Sequence, residues 1–152
     1  MTTHILALEK DLFFSVKMHD TLRHYDMEVI TVRNLPALEE SLAAKDEEEL
    51  ELVIVNIATT GVDWETAIRK ARTAGLKVLA FGSHMDLEAR SKALEAGAQR
   101  VVANSKFTSD MPGLVKRMLD DSDASSLNET DSESESAIQE AISPGNELKP
   151  LS

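Results

Sequence analysis

The side chains able to do chemistry in this 152-residue chain cluster in four short stretches, Glu9-Lys10-Asp11, Asn56 to Gly61, Gly82-Ser83-His84 and Asn104-Ser105-Lys106. Within the second, Ala58-Thr59-Thr60-Gly61 could present backbone N–H groups to an anion. A plain loop is the simpler reading of the same residues. There is no cysteine, hence no disulfide, thiol nucleophile or thiolate metal site. His4, His19, His24 and His84 show no metal-binding spacing: His19 and His24 are five residues apart, about 500° around a helix and therefore off-face. Only His84 falls in one of the four stretches. Flavin would want a Ser/Thr/Gly-rich phosphate loop where Glu9-Lys10-Asp11 stands, and neither a cobalamin-type Asp-x-His-x-x-Gly nor a Gly-rich dinucleotide turn occurs. No cofactor and no metal are expected.

Each of these stretches follows a short apolar run. Ile5–Leu8, Val29–Val32, Leu52–Val55, Val78–Phe81 and Val101–Ala103 begin 23 to 26 residues apart. They are too short for core helices and apolar on both faces, the pattern of strands buried between two layers. Helical spacing fills the intervals. Phe14, Met18 and Leu22 share a face, and so do Leu35, Leu38 and Leu42 around a first-turn Pro36. Trp64, Ile68 and Ala71 repeat the pattern before Gly75, Leu87, Ser91 and Leu94 do so more weakly before Gly97, and Met111, Leu114, Val115 and Met118 make the cleanest stripe. Trp64, Phe13, Phe14, Phe81 and Phe107 are expected in the core, with Tyr25 at the surface. Five βα units in strict alternation imply a parallel sheet under helices on both faces, a flavodoxin-like (βα)5 α/β sandwich with strand order 2-1-3-4-5. Strand carboxyl ends carry the ligand sites of such sheets, so the four polar stretches should gather along one edge.

Charge divides the chain. Of its 16 basic and 27 acidic residues, nine acids and one base (Lys149) lie from Asp120 onward, leaving residues 1–119 nearly neutral. Asp120–Glu135 is almost wholly Asp, Glu, Ser, Thr and Asn and cannot bury enough apolar surface to offset ordering entropy. Residues 1–119 are thus read as the folded domain and 120–152 as an acidic, Ser-rich disordered tail. Inside the tail, Ala137-Ile138 and Ala141-Ile142 sit one helical turn apart, a short docking helix or a transient turn. A polyanionic tail repels phosphate backbones and anionic lipid, which argues against nucleic-acid and membrane partners. No apolar run approaches the ~18 residues of a membrane span, and no signal-peptide core is present, so a cytoplasmic location is expected.

Three stretches, in this order and spacing, resemble the receiver (CheY-like) domain of bacterial response regulators over about residues 3–118. Leu52-Val53-Ile54-Val55-Asn56 with Thr60-Gly61-Val62-Asp63 is similar to that family's third strand, phospho-accepting Asp and following turn. Ala93-Leu94-Glu95-Ala96-Gly97-Ala98 resembles its approach to the fifth strand, and Ile5–Asp11 stands in place of its first strand and acidic cluster. The family transfers a phosphoryl group to an Asp. Two carboxylates there hold Mg²⁺, and a Lys and a Ser/Thr hydroxyl stabilise the phosphoryl oxygens.

Carried over residue by residue, the resemblance implies a degenerate site. The metal carboxylates map to Glu9 and Lys10, beside Asp11. The acceptor maps to Asn56, whose amide is a poor nucleophile and forms no stable acyl phosphate. The switch hydroxyl maps to Gly82, with Ser83 one residue late, and the switch aromatic to Val101. The Lys maps to Asn104, or to Lys106 if two residues are inserted. A Lys10 ammonium near Glu9 and Asn56 would do the neutralising work of the ion. The expected function is an atypical, stand-alone pseudo-receiver in a two-component system. It is not an enzyme and signals by docking a protein partner through residues 84–118, as a monomer or weak homodimer. Two alternatives stand beside it: a phosphorelay receiver using Asp11 or Asp63 as acceptor, and a small-ligand sensor using the vacated pocket. For Asp63 the favoured reading is a cap for the helix beginning at Trp64.

Overall fold

The apolar runs become strands because each is bounded by polar turn residues and is too short to pack as a helix. A computed structural model describes residues 2–44, 50–83 and 85–120. Along them lie β1 (Thr3–Leu8), α1 (Leu12–Arg23), β2 (Met27–Val32), α2 (Leu35–Ala43), β3 (Leu50–Asn56), α3 (Trp64–Thr73), β4 (Lys77–Gly82), α4 (Leu87–Ala96), β5 (Arg100–Ala103), α5 (Asn104–Ser109) and α6 (Met111–Asp120). The strands form one parallel sheet in the order β2-β1-β3-β4-β5, as their spacing predicts. Register pairs Ile5 with Val29 and with Leu52, Val53 with Val78, and Ala80 with Val101. His84 and the acidic tail beyond Asp120 lie outside the described residues.

The inner strands are closed to water on both sides: Ile5, Leu6, Leu52, Ile54, Val78 and Leu79 are fully buried. On the outer strand β2 the expected two-faced burial fails. Glu28, Ile30 and Thr31 are exposed, because an edge strand has a neighbour on one side only. α2, α3 and α4 follow one another across one face of the sheet, over a core of Leu6, Leu8, Leu38, Val53, Val55 and Ile68. α1 and α6 pack together on the opposite face.

Short polar side chains start the helices by accepting from amides that the helix itself leaves unpaired. Asp11 accepts from the N–H groups of Phe13 and Phe14, Asn34 from Ala37, Asp63 from Thr66 and Asp86 from Ala89. The expected stripes on α1, α3 and α6 are found: Met18, Leu22, Ile68, Ala71, Met111, Leu114, Val115 and Met118 are buried. At about 1.5–3 kcal/mol for each large aliphatic side chain taken from water, these stripes dominate the attachment of their helices.

Three expectations are corrected. Phe13 is 90% exposed; a residue 100° from the Phe14–Met18–Leu22 stripe points to solvent however apolar it is. On α4 the expected face of Leu87, Ser91 and Leu94 is turned outward, and Ala89, Ala93 and Ala96 meet the rest of the fold instead. Gly97 explains why small residues win there. It closes α4 at φ +124, and a Cβ added to it would stand 2.7 Å from Arg72 Cγ on α3, so the two helices approach too closely for leucine. Finally, Asn104-Ser105-Lys106 is not a loop but the first half of α5, which buries Phe107.

Candidate functional site: the strand carboxyl edge

Parallel register brings the ends of β1, β3 and β4 side by side, so Glu9, Asn56 and Gly82 meet at one edge of the sheet. Glu9 is one of two buried polar residues among the described ones, at 2% exposure. Burying a carboxylate is costly unless its oxygens are paired, and both are. Oε1 accepts from Asn56 Nδ2 at 2.9 Å, and Oε2 from the Asp11 amide at 3.0 Å. Asn56 is satisfied from both ends, since its Oδ1 accepts from Ala58 N at 2.8 Å. The carboxamide therefore joins β1 to the loop after β3. The two bonds together need a donor and an acceptor on one side chain, which an ionised carboxylate cannot supply.

The remaining members of the acidic stretch turn away. Asp11 spends its carboxylate on capping α1. Lys10 does not pair with Glu9: its ammonium donates to the Thr60 carbonyl at 3.1 Å, and a Cβ placed on Gly61 would lie 3.7 Å from Nζ. The cation expected inside the pocket instead straps the β3–α3 loop from outside. Gly61 supports that strap with a positive φ of 76, conformational space that side-chain-bearing residues rarely take. Asp63 caps α3 as expected, its Oδ1 accepting from Thr66 N at 3.0 Å and its Oδ2 from Thr66 Oγ1 at 2.7 Å. Those bonds from Thr66, the hydroxyl first, hold the Asp63 carboxyl below its ordinary value.

At the hydroxyl position, Gly82 is buried, and a Cβ added to it would lie 2.7 Å from Ile57 Cγ1 and 3.6 Å from Ala58 N. Ile57, 6% exposed, fills the space a side chain at position 82 would need. Ser83 is exposed and its hydroxyl accepts from the Met85 amide, a turn bond. Val101 is buried at 8%, and its carbonyl accepts from Arg90 Nη1 at 3.0 Å, tying α4 to β5. Asn104 and Lys106 are both exposed. Among the described residues, no side-chain hydrogen bond or ion pair joins either of them to Glu9, Asn56 or Asp11. No group of three or more His, Asp or Glu residues there is placed to hold a metal. Glu9, Asn56 and Gly82 are thus brought together; Asp11, Ser83, Asn104 and Lys106 are not.

Two contributors went unread in the sequence. Ile57 is one, since its contact with Gly82 lies across 25 residues and has no local signature. The other is the mutual packing of Phe14, Phe81 and Phe107, which were expected in the core but not as one aromatic group under the edge. Phe81 and Phe107 stack at 4.3 Å between centroids and 8° between planes, with Phe14 5.4 Å from Phe81 and 6.0 Å from Phe107. These rings join α1, β4 and α5.

No protein-family model matches the chain, and no curated protein matches it in sequence. Solved structures do match its fold. A response regulator from Thermotoga maritima superposes with a TM-score of 0.65 at 18% identity, over 80% of this chain and 100% of that one. A response regulator from Chloroflexus aurantiacus gives 0.66 at 22% identity, over 80% and 100%. The chemotaxis response regulator CheY4 of Vibrio cholerae gives 0.64 at 15% identity, over 78% and 100%. The chain has the fold of response-regulator receiver domains. No helix among the described residues is long and apolar enough to cross a membrane.

Proposed function

We propose that this chain is a receiver-fold module of two-component signal transduction that works by docking a protein partner, without phosphorylation at position 56. The carrying observation is the bonding of Asn56. Its amide donates to Glu9 and accepts from Ala58, so the position of the family's acceptor is a structural joint. An amide nitrogen or oxygen attacking a phosphoryl group yields no acyl phosphate, and the Asn56 amide already donates to Glu9 and accepts from Ala58. Asp11 and Asp63, the other acceptor candidates, have their carboxylates occupied as helix caps. Ile57 fills the space at Gly82, which weighs against a small ligand there.

The docking half of the reading rests on α4. Its large apolar residues face water: Met85 is 76% exposed, Leu87 70% and Leu94 45%, while its alanines face the core. Exposed leucines lined up along one helix and the turn before it form a surface suited to an apolar partner. They lie at the start of the 84–118 region expected to bind it. No cofactor is required by this function, and the partner is a protein of the signalling pathway.

Incubation of the full chain with acetyl phosphate and Mg²⁺, followed by intact-mass measurement, tests the chemical half. No mass gain of one phosphoryl group is expected; a stable gain mapping to a carboxylate at the strand edge would overturn it. Replacing Leu94 by Glu tests the docking half and should abolish capture of the cognate signalling protein while leaving the fold intact.

A further inference from the structure

Six methionines carry the chain's only sulfur atoms, since it has no cysteine. Five lie among the described residues, and four of those are sealed in the fold: Met18, Met27, Met111 and Met118 are all buried. Met85 is 76% exposed. Its place in the fold explains why. Asp86 is the N-cap of α4, so Met85 is the residue before the cap and Arg90 is the fourth helical residue. An apolar side chain before a cap ordinarily packs on an apolar side chain at that fourth position. Arg90 offers no such partner, and its guanidinium is held by the Val101 carbonyl at 3.0 Å. The Met85 backbone is fixed nonetheless, its N–H donating to Ser83 Oγ at 3.2 Å. A hydrogen-bonded turn thus presents the thioether to water, two residues before the exposed Leu87 that opens α4.

We propose that Met85 is a reversible oxidation site: a peroxide converts its thioether to the sulfoxide and makes the α4 surface less apolar. The sulfur lone pair attacks one peroxide oxygen. An S–O bond forms as the O–O bond breaks, sulfur loses two electrons, and the departing hydroxide takes up a proton to leave as water. In the reverse step a dithiol reductant takes the oxygen away as water and becomes a disulfide. Peroxide must reach the sulfur to react, so the four buried thioethers are passed over and the core is spared a polar group that would disrupt it. The sulfoxide stands at the end of the Leu87–Leu94 face, where an added polar group opposes apolar contact. The oxidation and the loss of apolarity go beyond the docking reading and are measured without a partner; weaker docking after oxidation rests on that reading.

The test treats the full chain with hydrogen peroxide at neutral pH and follows oxidation by intact mass and peptide mapping. Among the described methionines, Met85 is expected to gain its oxygen first, with the circular dichroism unchanged. Retention on a hydrophobic-interaction column should fall as it does so. Methionine sulfoxide reductases, one for each sulfoxide epimer, should with dithiothreitol remove the oxygen and restore retention. Met85→Leu keeps the surface apolar without the sulfur, so peroxide should shift its retention less than the parent's. Met85→Gln, polar and inert to peroxide, should elute like the oxidised parent before any treatment. Met1 lies outside the described residues; its peptide is scored separately, and any oxidation there is common to all three chains. Oxidation of a buried methionine as early as Met85, or conversion of Met85 with no fall in retention, would overturn the proposal. So would an equal fall in Met85→Leu, or a sulfoxide that the reductases do not remove. Failure of the docking reading shows elsewhere, as undiminished partner capture in Leu94→Glu, and leaves each of these readouts as it is.

Discussion

Restoring an acid at position 56 makes the most searching test of the strand edge. Asn56→Asp replaces the Nδ2 donor, 2.9 Å from a Glu9 oxygen, by a second carboxylate oxygen in a site where Glu9 is 2% exposed. Two full charges at that distance repel by about 6 kcal/mol at an effective dielectric of ~20. The protein has a cheaper way out, because the pair can take up one proton and share it. Holding a carboxyl protonated at pH 7 against an ordinary value near 4 costs about 4 kcal/mol, at ~1.4 kcal/mol per pH unit. Proton uptake therefore sets the deficit, and we expect the variant to be less stable by roughly 3–4 kcal/mol at pH 7. The sign of the pH dependence follows. The folded variant binds one proton more than its unfolded chain between about pH 4 and 7, so its stability rises as pH falls, and the gap to the parent closes by ~1.4 kcal/mol per unit. Millimolar Mg²⁺, an oxygen-seeking cation, should close part of the same gap at pH 7 by neutralising the pair. Urea unfolding at pH 7 and pH 5, with and without Mg²⁺, reads all three effects. A variant as stable as its parent at pH 7 without Mg²⁺ would show that Glu9 and residue 56 are not coupled as described.

The other predictions concern the neighbouring contacts. Gly82→Ser forces a Cβ against Ile57 and should destabilise by about 1–3 kcal/mol, with Ile57→Ala in the same chain recovering part of the loss in a double-mutant cycle. Asp63→Ala removes the α3 cap and should cost about 1 kcal/mol at pH 7. Because the Asp63 carboxyl is held below its ordinary value, the cap contributes fully above that value and fades as pH falls through the lowered one, so parent and variant should converge in acid unfolding curves. Lys10→Met cuts the strap to the Thr60 carbonyl, an exposed contact. It should change global stability by less than about 1 kcal/mol while speeding hydrogen exchange of the Ala58–Gly61 amides.

Much of this architecture could be read from residue order alone, since apolar runs every 23 to 26 residues leave few ways to build a sheet. Helix faces were legible where large side chains repeat, as on α6, and failed where they do not. On α4, reading by size picked Leu87 and Leu94, whereas the close approach at Gly97 selects alanine; nothing local to the helix encodes that distance. Phe13 misled for a related reason. Adjacent phenylalanines have equal hydropathy, and only their angle around the helix separates the half-buried Phe14 from the exposed Phe13. α5 carries a single buried residue, Phe107, so it has no stripe to detect. At the site, Asn56 facing Glu9 followed from strand order. The Lys10 strap did not, because its acceptor is a backbone carbonyl and every residue owns one.

Alanine on the underside of α4 also governs how that helix responds to force. Methyl groups are shallow, so Ala89, Ala93 and Ala96 form a smooth bearing instead of interlocking teeth. The bearing is fastened near its end, where Gly97 sits against Arg72, and at mid-length by Arg90 on the Val101 carbonyl. Leu87, at the other extremity, follows the Asp86 cap, whose carboxylate accepts from Ala89 N and whose amide donates to the Ser83 carbonyl. A load applied at Leu87 therefore falls within one turn of the Arg90 side chain that ties the helix to the β5 carbonyl.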